Sequence, residues 1–177
     1  MRIGVIMAGG AGERFWPYSR RHHPKQFLCF SGDKSLLTET VERISPLIPP
    51  ERVFIVAGSH LKDAITKVVP ALPKENILIE PMPRNTAPCL ALAVAVTSRL
   101  FQDPTMAVLT ADHYIDKTDA FLNNIDTALR FAEENPALVT IGIPAERPDT
   151  GFGYIEAGDV VARTERGIIR TVRKFHE

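Results

Sequence analysis

A short β-branched run, Arg2-Ile3-Gly4-Val5-Ile6, passes through Met7-Ala8 into Gly9-Gly10-Ala11-Gly12-Glu13-Arg14, and this junction constrains the fold more than any other stretch. Three glycines directly behind a strand-forming run predict a strand that breaks into a loop whose backbone N–H groups lie open to an anion. Two familiar phosphate-loop motifs are excluded by the residues themselves. The third glycine of a dinucleotide fingerprint is replaced by Phe15, and no Gly-Lys-Ser/Thr follows as a P-loop requires. Pro17 prevents a long helix from starting at once, and Lys25 is restrained between Pro24 and Gln26. Glycine amides, Arg14 and Lys25 together make a cationic cradle. The plain alternative is a glycine-rich turn followed by a solvated basic loop.

Composition narrows the ligand. The 177 residues suffice for one domain with a sizeable core, and 45% hydrophobic with 24% charged residues is ordinary for a globular chain. Lysine plus arginine number 21 and aspartate plus glutamate also 21, so there is no overall basic field to hold a long nucleic acid. A small anionic ligand fits that balance better than a nucleic acid polymer. Cys29 and Cys89 sit in apolar company without Cys-x-x-Cys spacing, which predicts buried, reduced thiols in a reducing compartment and hence a cytoplasmic protein. The first apolar run is too short, and too soon followed by glycine and charge, to be a signal peptide. No segment approaches about 20 apolar residues, so no membrane partner is expected.

Beyond the loop, Leu37, Val41, Ile44 and Ile48 recur at helical spacing behind Ser35, a candidate N-cap, and Pro49-Pro50 closes that helix. Arg52 to Val56 reads as a buried strand. Ser59 is placed to cap a second helix bearing Leu61, Ile65 and Val68, stopped by Pro70, and Ile77-Leu78-Ile79 is the next strand. This alternation predicts an α/β fold, an open, Rossmann-like, mostly parallel (mixed) sheet with helices on both faces, since parallel neighbours need crossovers of about a dozen residues. The pattern breaks at Glu80 to Pro88. A helix follows from about Cys89 to Phe101, apolar nearly all round from Leu90 to Val96 and therefore expected to be buried.

Thr105 to Thr110 is a strand aimed at Ala111-Asp112-His113. Phe121, Leu122, Ile125, Ala128, Leu129 and Ala132 mark an amphipathic helix after Thr118, and Leu138 to Ile141 another strand. From Arg147 to Glu156 a glycine-punctuated loop enters a strand, and Val160 to Ala162 and Ile168 to Val172 form a hairpin around a turn near Gly167. Ligands of open α/β sheets bind outside the carboxyl ends of the strands. The glycine loop, the Glu80 loop, Ala111-Asp112-His113 and the 147–156 segment are therefore expected to face one crevice.

Gly10-Ala11-Gly12-Glu13-Arg14-Phe15-Trp16-Pro17 followed by Pro24-Lys25-Gln26-Phe27 resembles the signature of the sugar-nucleotide pyrophosphorylases. The version with Phe-Trp-Pro and Pro-Lys-Gln-Phe is similar to that of the guanylyltransferases acting on mannose 1-phosphate. The resemblance implies a nucleotidyltransferase domain of the GT-A-like type over residues 1–177, ending on its C-terminal side about halfway through a typical member. It also implies a role for each loop. Ala8, Gly9, Gly10, Gly12 and Arg14 would hold the β- and γ-phosphates of a nucleotide, and Lys25 the α-phosphate and the sugar phosphate. Asp112 would be one ligand of Mg²⁺, a hard cation that takes only one or two protein carboxylates beside phosphate oxygens, with the second ligand supplied from the later half. Taken alone, Asp112 also reads as a strand-end aspartate in an Asx turn.

Glu80, with Asn85 and Thr86, is placed to read the base. Guanine presents N1–H and N2–H₂ as adjacent donors, and an ionised carboxylate is an acceptor able to take both. Thr86 is also placed to cap the following helix, and Glu80 also reads as a plain strand-end charge. Gly153, Tyr154 and Glu156 match, by resemblance, the segment that these enzymes lay against the hexose; alone, they read as a hairpin bend. His113 is a hydrogen-bonding neighbour, His22-His23 belong to a solvated loop, and no zinc spacing is present.

The expected reaction is transfer of GMP from GTP to α-D-mannose 1-phosphate, giving GDP-mannose and pyrophosphate, with Arg14, Lys25 and Asp112 as the catalytic set. The alternative is a non-catalytic nucleotide- or sugar-nucleotide-binding module of the same fold. A homodimer, and mannose against a close epimer, stay open. With one metal ligand and part of the sugar pocket missing, residues 1–177 alone are expected to bind GTP with Mg²⁺ but to turn over little.

Overall fold

The structure, a computed structural model, describes residues 1–9, 16–20, 24–30 and 32–176. They form two compact units, Met1–Thr118 and Asp119–Glu177. In the first unit, strands β1 (Arg2–Met7), β2 (Val53–Gly58), β3 (Ile77–Glu80) and β4 (Thr105–Thr110) make one sheet in the order β3-β2-β1-β4. Every pairing in it is parallel. Strands buried on both faces need apolar residues at successive positions rather than at alternate ones. Ile3, Val5 and Ile6 of β1 and Val53 to Ala57 of β2 meet that need and are all at most 1% exposed.

Helices cover both faces, as the alternation predicted. Val5, Phe54, Val56 and Leu78 pack with Cys89 and Ala93 of α3 (Thr86–Leu100), and Phe101 meets Phe54 edge to face at 6.1 Å. The interleaved residues point the other way, where Ile48 and Val53 come within 3.8 Å of the place a Cβ on Gly4 would occupy. Ser35 caps α1 (Leu36–Ile44), its Oγ accepting from the Thr38 N–H at 3.2 Å. The helix stops at Ile44 rather than at Pro49-Pro50, because Pro46 has no N–H to continue the ladder. Ile48 still reaches the core through a turn in which its N–H donates to Ile44 O at 3.0 Å.

Three expectations fail for local reasons. Ser59 does not cap α2 (Lys62–Val68); it opens a 3-10 turn, Ser59–Leu61, that runs straight into the helix with no side-chain cap. Helix α3 starts at Thr86, and only Cys89, Ala93 and Thr97 are buried, while Val94 and Leu100 are 49% and 59% exposed. A helix lying on a sheet buries one stripe, whatever the apolarity of its other faces. Cys89 is buried as expected but Cys29 is exposed, since Phe27 takes the core position in that loop.

In the second unit α4 (Thr118–Glu134) buries Ile125, Asp126 and Leu129. Strands β5 (Tyr154–Thr164) and β6 (Gly167–His176) pair antiparallel in the expected hairpin, longer at both ends than its apolar residues indicate. The register shifts between Glu156 and Ala162, and a side chain at Gly158 would run into Thr171 Oγ1, so the bulge needs glycine there. Asp126 ties helix to hairpin by accepting from Arg130 Nε at 3.1 Å and Arg166 Nη1 at 3.3 Å. The strand expected over Leu138 to Ile141 does not form. A strand exists only through a ladder with a neighbour, and no described strand pairs with these residues, of which Leu138 is fully exposed.

The entry to β3 is fastened by one buried amide. Asn76 Nδ2 donates to Glu51 O at 3.0 Å and to Val53 O at 2.9 Å, joining the start of β3 to the start of β2. Asn76→Ala leaves a buried carbonyl without its side-chain donor and is expected to cost about 1–3 kcal/mol in denaturant unfolding, with the secondary structure retained by circular dichroism.

Candidate active site

The sheet order reverses beside β1: the chain winds outward through β2 and β3, then returns to place β4 on the other edge of β1. Such a switch point opens a crevice at the carboxyl ends of β1 and β4. Both strands continue their ladder one residue into it, the Ala8 N–H donating to Val56 O at 2.9 Å and the Ala111 N–H to Met7 O at 3.1 Å. Ala8 and Ala111 are thereby positioned by sheet hydrogen bonds, and Asp112 follows directly in a turn.

Lys25 is brought to this crevice by a short 3-10 turn, Lys25–Phe27, which closes on Pro24 O with a Phe27 N–H bond of 3.0 Å. Gln26, 2% exposed, anchors the turn by donating from Nε2 to Ala8 O at 2.7 Å. Phe27 is buried beside it, and Lys25 Nζ then donates to Asp112 Oδ2 at 3.2 Å. The two side chains are 23% and 42% exposed. An ion pair this open is worth about 0–1 kcal/mol, so a phosphate can take the ammonium at little cost. Gln26 was legible only as part of the Pro-Lys-Gln string; its role as the anchor of Lys25 depends on Ala8 being across from it.

Glu80 ends β3, paired with Gly58 of β2. Its carboxylate reaches over the first glycine of the loop, with Oε2 only 2.8 Å from where a Cβ on Gly9 would stand. Gly9 is therefore required for close approach. Burial, followed by the Glu80 charge and hydrogen bonding toward it, pushes the Cys89 thiol in the first turn of α3 up to about 11, so it stays protonated through the neutral range.

Asn85 occupies the N-cap position of α3 at φ 64° and ψ −166°, a strained conformation that glycine adopts far more readily than asparagine, and makes no capping bond. Thr86 is the first helical residue and not the cap, correcting that expectation; both are exposed. The opening N–H groups of α3 thus have no side-chain cap among the described residues. His113 is exposed just after Asp112. Gly10, Gly12, Arg14 and His22-His23 lie outside the described residues.

The hexose candidates belong to the second unit. The Tyr154 hydroxyl donates to Asp149 O at 2.9 Å and accepts from the Asp149 N–H at 2.7 Å, so it braces the turn before β5. Gly153 leads into β5, and Glu156 Oε2 lies 2.9 Å from His176 Nε2 across the hairpin. For a metal, the described residues hold no cluster of three His, Cys, Asp or Glu side chains. The donors at the end of β4 are hard oxygens: the Asp112 carboxylate, and Thr110 Oγ1, which is buried without a hydrogen-bond partner among the described residues. That set fits a cation shared with phosphate oxygens and does not fit an all-protein cage. The crowding at Gly9 gives a direct test of the strand-end geometry. Gly9→Ala displaces the flexible end of Glu80 before any backbone moves, so its thermal midpoint, read by calorimetry, is expected within about 2 °C of wild type.

Residues 3–177 match the family model described as nucleotidyl transferase. Mannose-1-phosphate guanylyltransferases of Salmonella muenchen and Escherichia coli are 40% and 42% identical over 97% and 98% of this chain. The chain spans only 37% and 38% of their lengths. A solved structure from Thermus thermophilus, described as a mannose-1-phosphate geranyltransferase, is 35% identical with a TM-score of 0.84, over 99% of this chain and 50% of that one. A Helicobacter pylori structure described as a mannose-6-phosphate isomerase shares the fold at a TM-score of 0.74 and 24% identity, over 100% of this chain and 60% of that one. With a strand-end crevice, a parallel sheet and a family match running almost from end to end, the chain belongs to the nucleotidyl transferase family.

Proposed function

We propose that this chain forms the nucleotide-binding part of an enzyme that transfers GMP from GTP to α-D-mannose 1-phosphate, yielding GDP-mannose and pyrophosphate. The observation that carries the reading is the pairing of Lys25 with Asp112 at the switch point, at 3.2 Å. A cation and a hard-oxygen anion side by side are what a triphosphate and its counter-ion require. The guanylyltransferase relatives support the choice of nucleotide and sugar.

The sugar phosphate oxygen attacks the α-phosphorus as the bond from that phosphorus to the bridging oxygen breaks, and pyrophosphate leaves with the electron pair. No covalent protein nucleophile is needed, so positioning and charge neutralisation carry the acceleration. Lys25 leaves Asp112 and stabilises the negative charge growing on the α-phosphate. Arg14 and the amides of the Gly9 to Gly12 loop hold the departing phosphates. Glu80 accepts from N1–H and N2–H₂ of guanine, with Asn85 and Thr86 on the same rim. Gly153, Tyr154 and Glu156 serve the hexose, Glu156 as acceptor for its hydroxyls. A divalent cation, Mg²⁺ in this reading, would be held by Asp112 and supply further neutralisation of phosphate charge. GTP and sugar phosphates are cytoplasmic metabolites, so the reading places the reaction there.

The test uses a chain of the relatives' full length, incubated with GTP, Mg²⁺ and mannose 1-phosphate while pyrophosphate release is followed. Lys25→Ala and Asp112→Asn are each expected to lower kcat by about 10²–10³-fold, the scale of losing one transition-state charge contact. Unchanged turnover in both variants refutes the assigned roles. Tight GTP binding without pyrophosphate release from the unmodified protein identifies a binding module instead.

A further inference from the structure

Gln26 is 2% exposed, and its amide is used inside the protein: Nε2 donates to Ala8 O at 2.7 Å, at the short end of the range for such bonds. The residue joins two elements that face the phosphates in the proposed reaction. Its backbone is the middle of the Lys25–Phe27 turn, which closes through Phe27 N–H to Pro24 O and Leu28 N–H to Lys25 O, both at 3.0 Å. Any rotation of that turn carries Lys25 with it. Its side chain holds Ala8, whose N–H is already taken by Val56 O at 2.9 Å. Both polar backbone groups of Ala8 are thus occupied, one by the sheet and one by Gln26. The peptide joining Ala8 to Gly9 is trans, and a planar trans peptide points its C=O and the following N–H in opposite directions. Fixing Ala8 O toward Gln26 therefore fixes the Gly9 N–H, the first amide of the glycine loop, pointing away from it.

We infer that Gln26 is a positioning residue, whose buried amide sets the Lys25 ammonium and the Gly9 N–H in one fixed relation so that both meet the same chain of phosphates. That role depends on the proposed one, in which Lys25 and the Gly9 to Gly12 amides bind the phosphates of the nucleotide. An amide suits the place because it is a neutral donor long enough to cross from the turn to the strand end. An ionised carboxylate of the same length would set an acceptor against a carbonyl, and a thioether would donate nothing. Binding groups ordered in advance lose little freedom when the phosphates arrive, whereas a lysine on an untied turn has to be ordered by the ligand. The alternative is that Gln26 does no more than satisfy a buried carbonyl. Its loss would then lower the thermal midpoint and leave the affinity of the folded chain unchanged.

Calorimetry on the 177-residue chain with inorganic tripolyphosphate and with GTP, each with Mg²⁺, reads the effect on phosphates without and with a base. Gln26→Met, similar in length and lacking a donor, is expected to weaken both probes by the same factor, about threefold to tenfold, the scale of one net hydrogen bond. Made together with Lys25→Ala, its cost is expected to shrink to about twofold, the non-additivity of residues that work through one another. Gln26→Glu regains a donor when its carboxyl is protonated, and burial raises that carboxyl above the usual range. Its affinity for tripolyphosphate, taken relative to wild type at the same pH so that Lys25 and Asp112 titrate alike in both, is expected to rise as the pH falls from about 8 to about 6. Wild-type affinity in Gln26→Met, with both probes weakened by Lys25→Ala, overturns the positioning role and leaves the phosphate reading standing. Full additivity of the two substitutions overturns the positioning role as well. No binding of either probe by wild type, or no effect of Lys25→Ala, overturns the phosphate reading and the inference with it. Should Gln26→Met not fold, a ratio that stays flat with pH in Gln26→Glu overturns the positioning role.

Discussion

The structure of the first unit depends on β1 being hydrogen-bonded along both edges, to β2 on one side and β4 on the other. A parallel strand cannot find its neighbours through tight turns, so each of those pairings requires a crossover, and the crossovers bring α1, α2 and α3 to the sheet. Everything at the carboxyl end follows from this. Ala8 and Ala111 are held by ladder bonds, Asp112 stands one residue beyond, and the Pro24 turn is tied back to Ala8 by Gln26. Ala8, Ala111 and the Lys25–Phe27 turn are therefore tied to the sheet by hydrogen bonds, and rigid elements favour precise placement of the groups they carry.

The sheet was legible because its signals are local and repeated. Ile3 to Ile6, Val53 to Ala57 and Ile77 to Ile79 are short apolar runs between turn residues, and runs of that kind form strands almost wherever they can be buried on both sides. The strand ends, and with them Glu80 and Asp112, followed from the fold rule for open sheets, while Lys25 came from the Pro24-Lys25-Gln26 string. What the chain did not disclose was anything decided by a neighbour distant in sequence. Leu138 to Ile141 has strand composition but no ladder among the described residues. The apolarity of α3 gave no hint of which stripe would meet Phe54 and Leu78. Cap assignments at Ser59 and Thr86 failed by a residue or two, since a 3-10 lead-in and an asparagine at positive φ shift a helix start without changing its composition.

Glu80 and Cys89 illustrate the same division within the site. The chemistry of an acceptor at a strand end could be argued from residue type alone, whereas the thiol nine positions later is an apolar core residue by every local criterion. The packing of α3 onto β2 and β3 buries it in the core near enough to Glu80 for that charge to push it up.

The Lys25–Asp112 pair has one further effect, on what the crevice attracts. A ligand that offers both charges at once, anionic oxygens for the lysine and an accompanying cation for the aspartate, exchanges partners with this weak pair and leaves neither group unmatched.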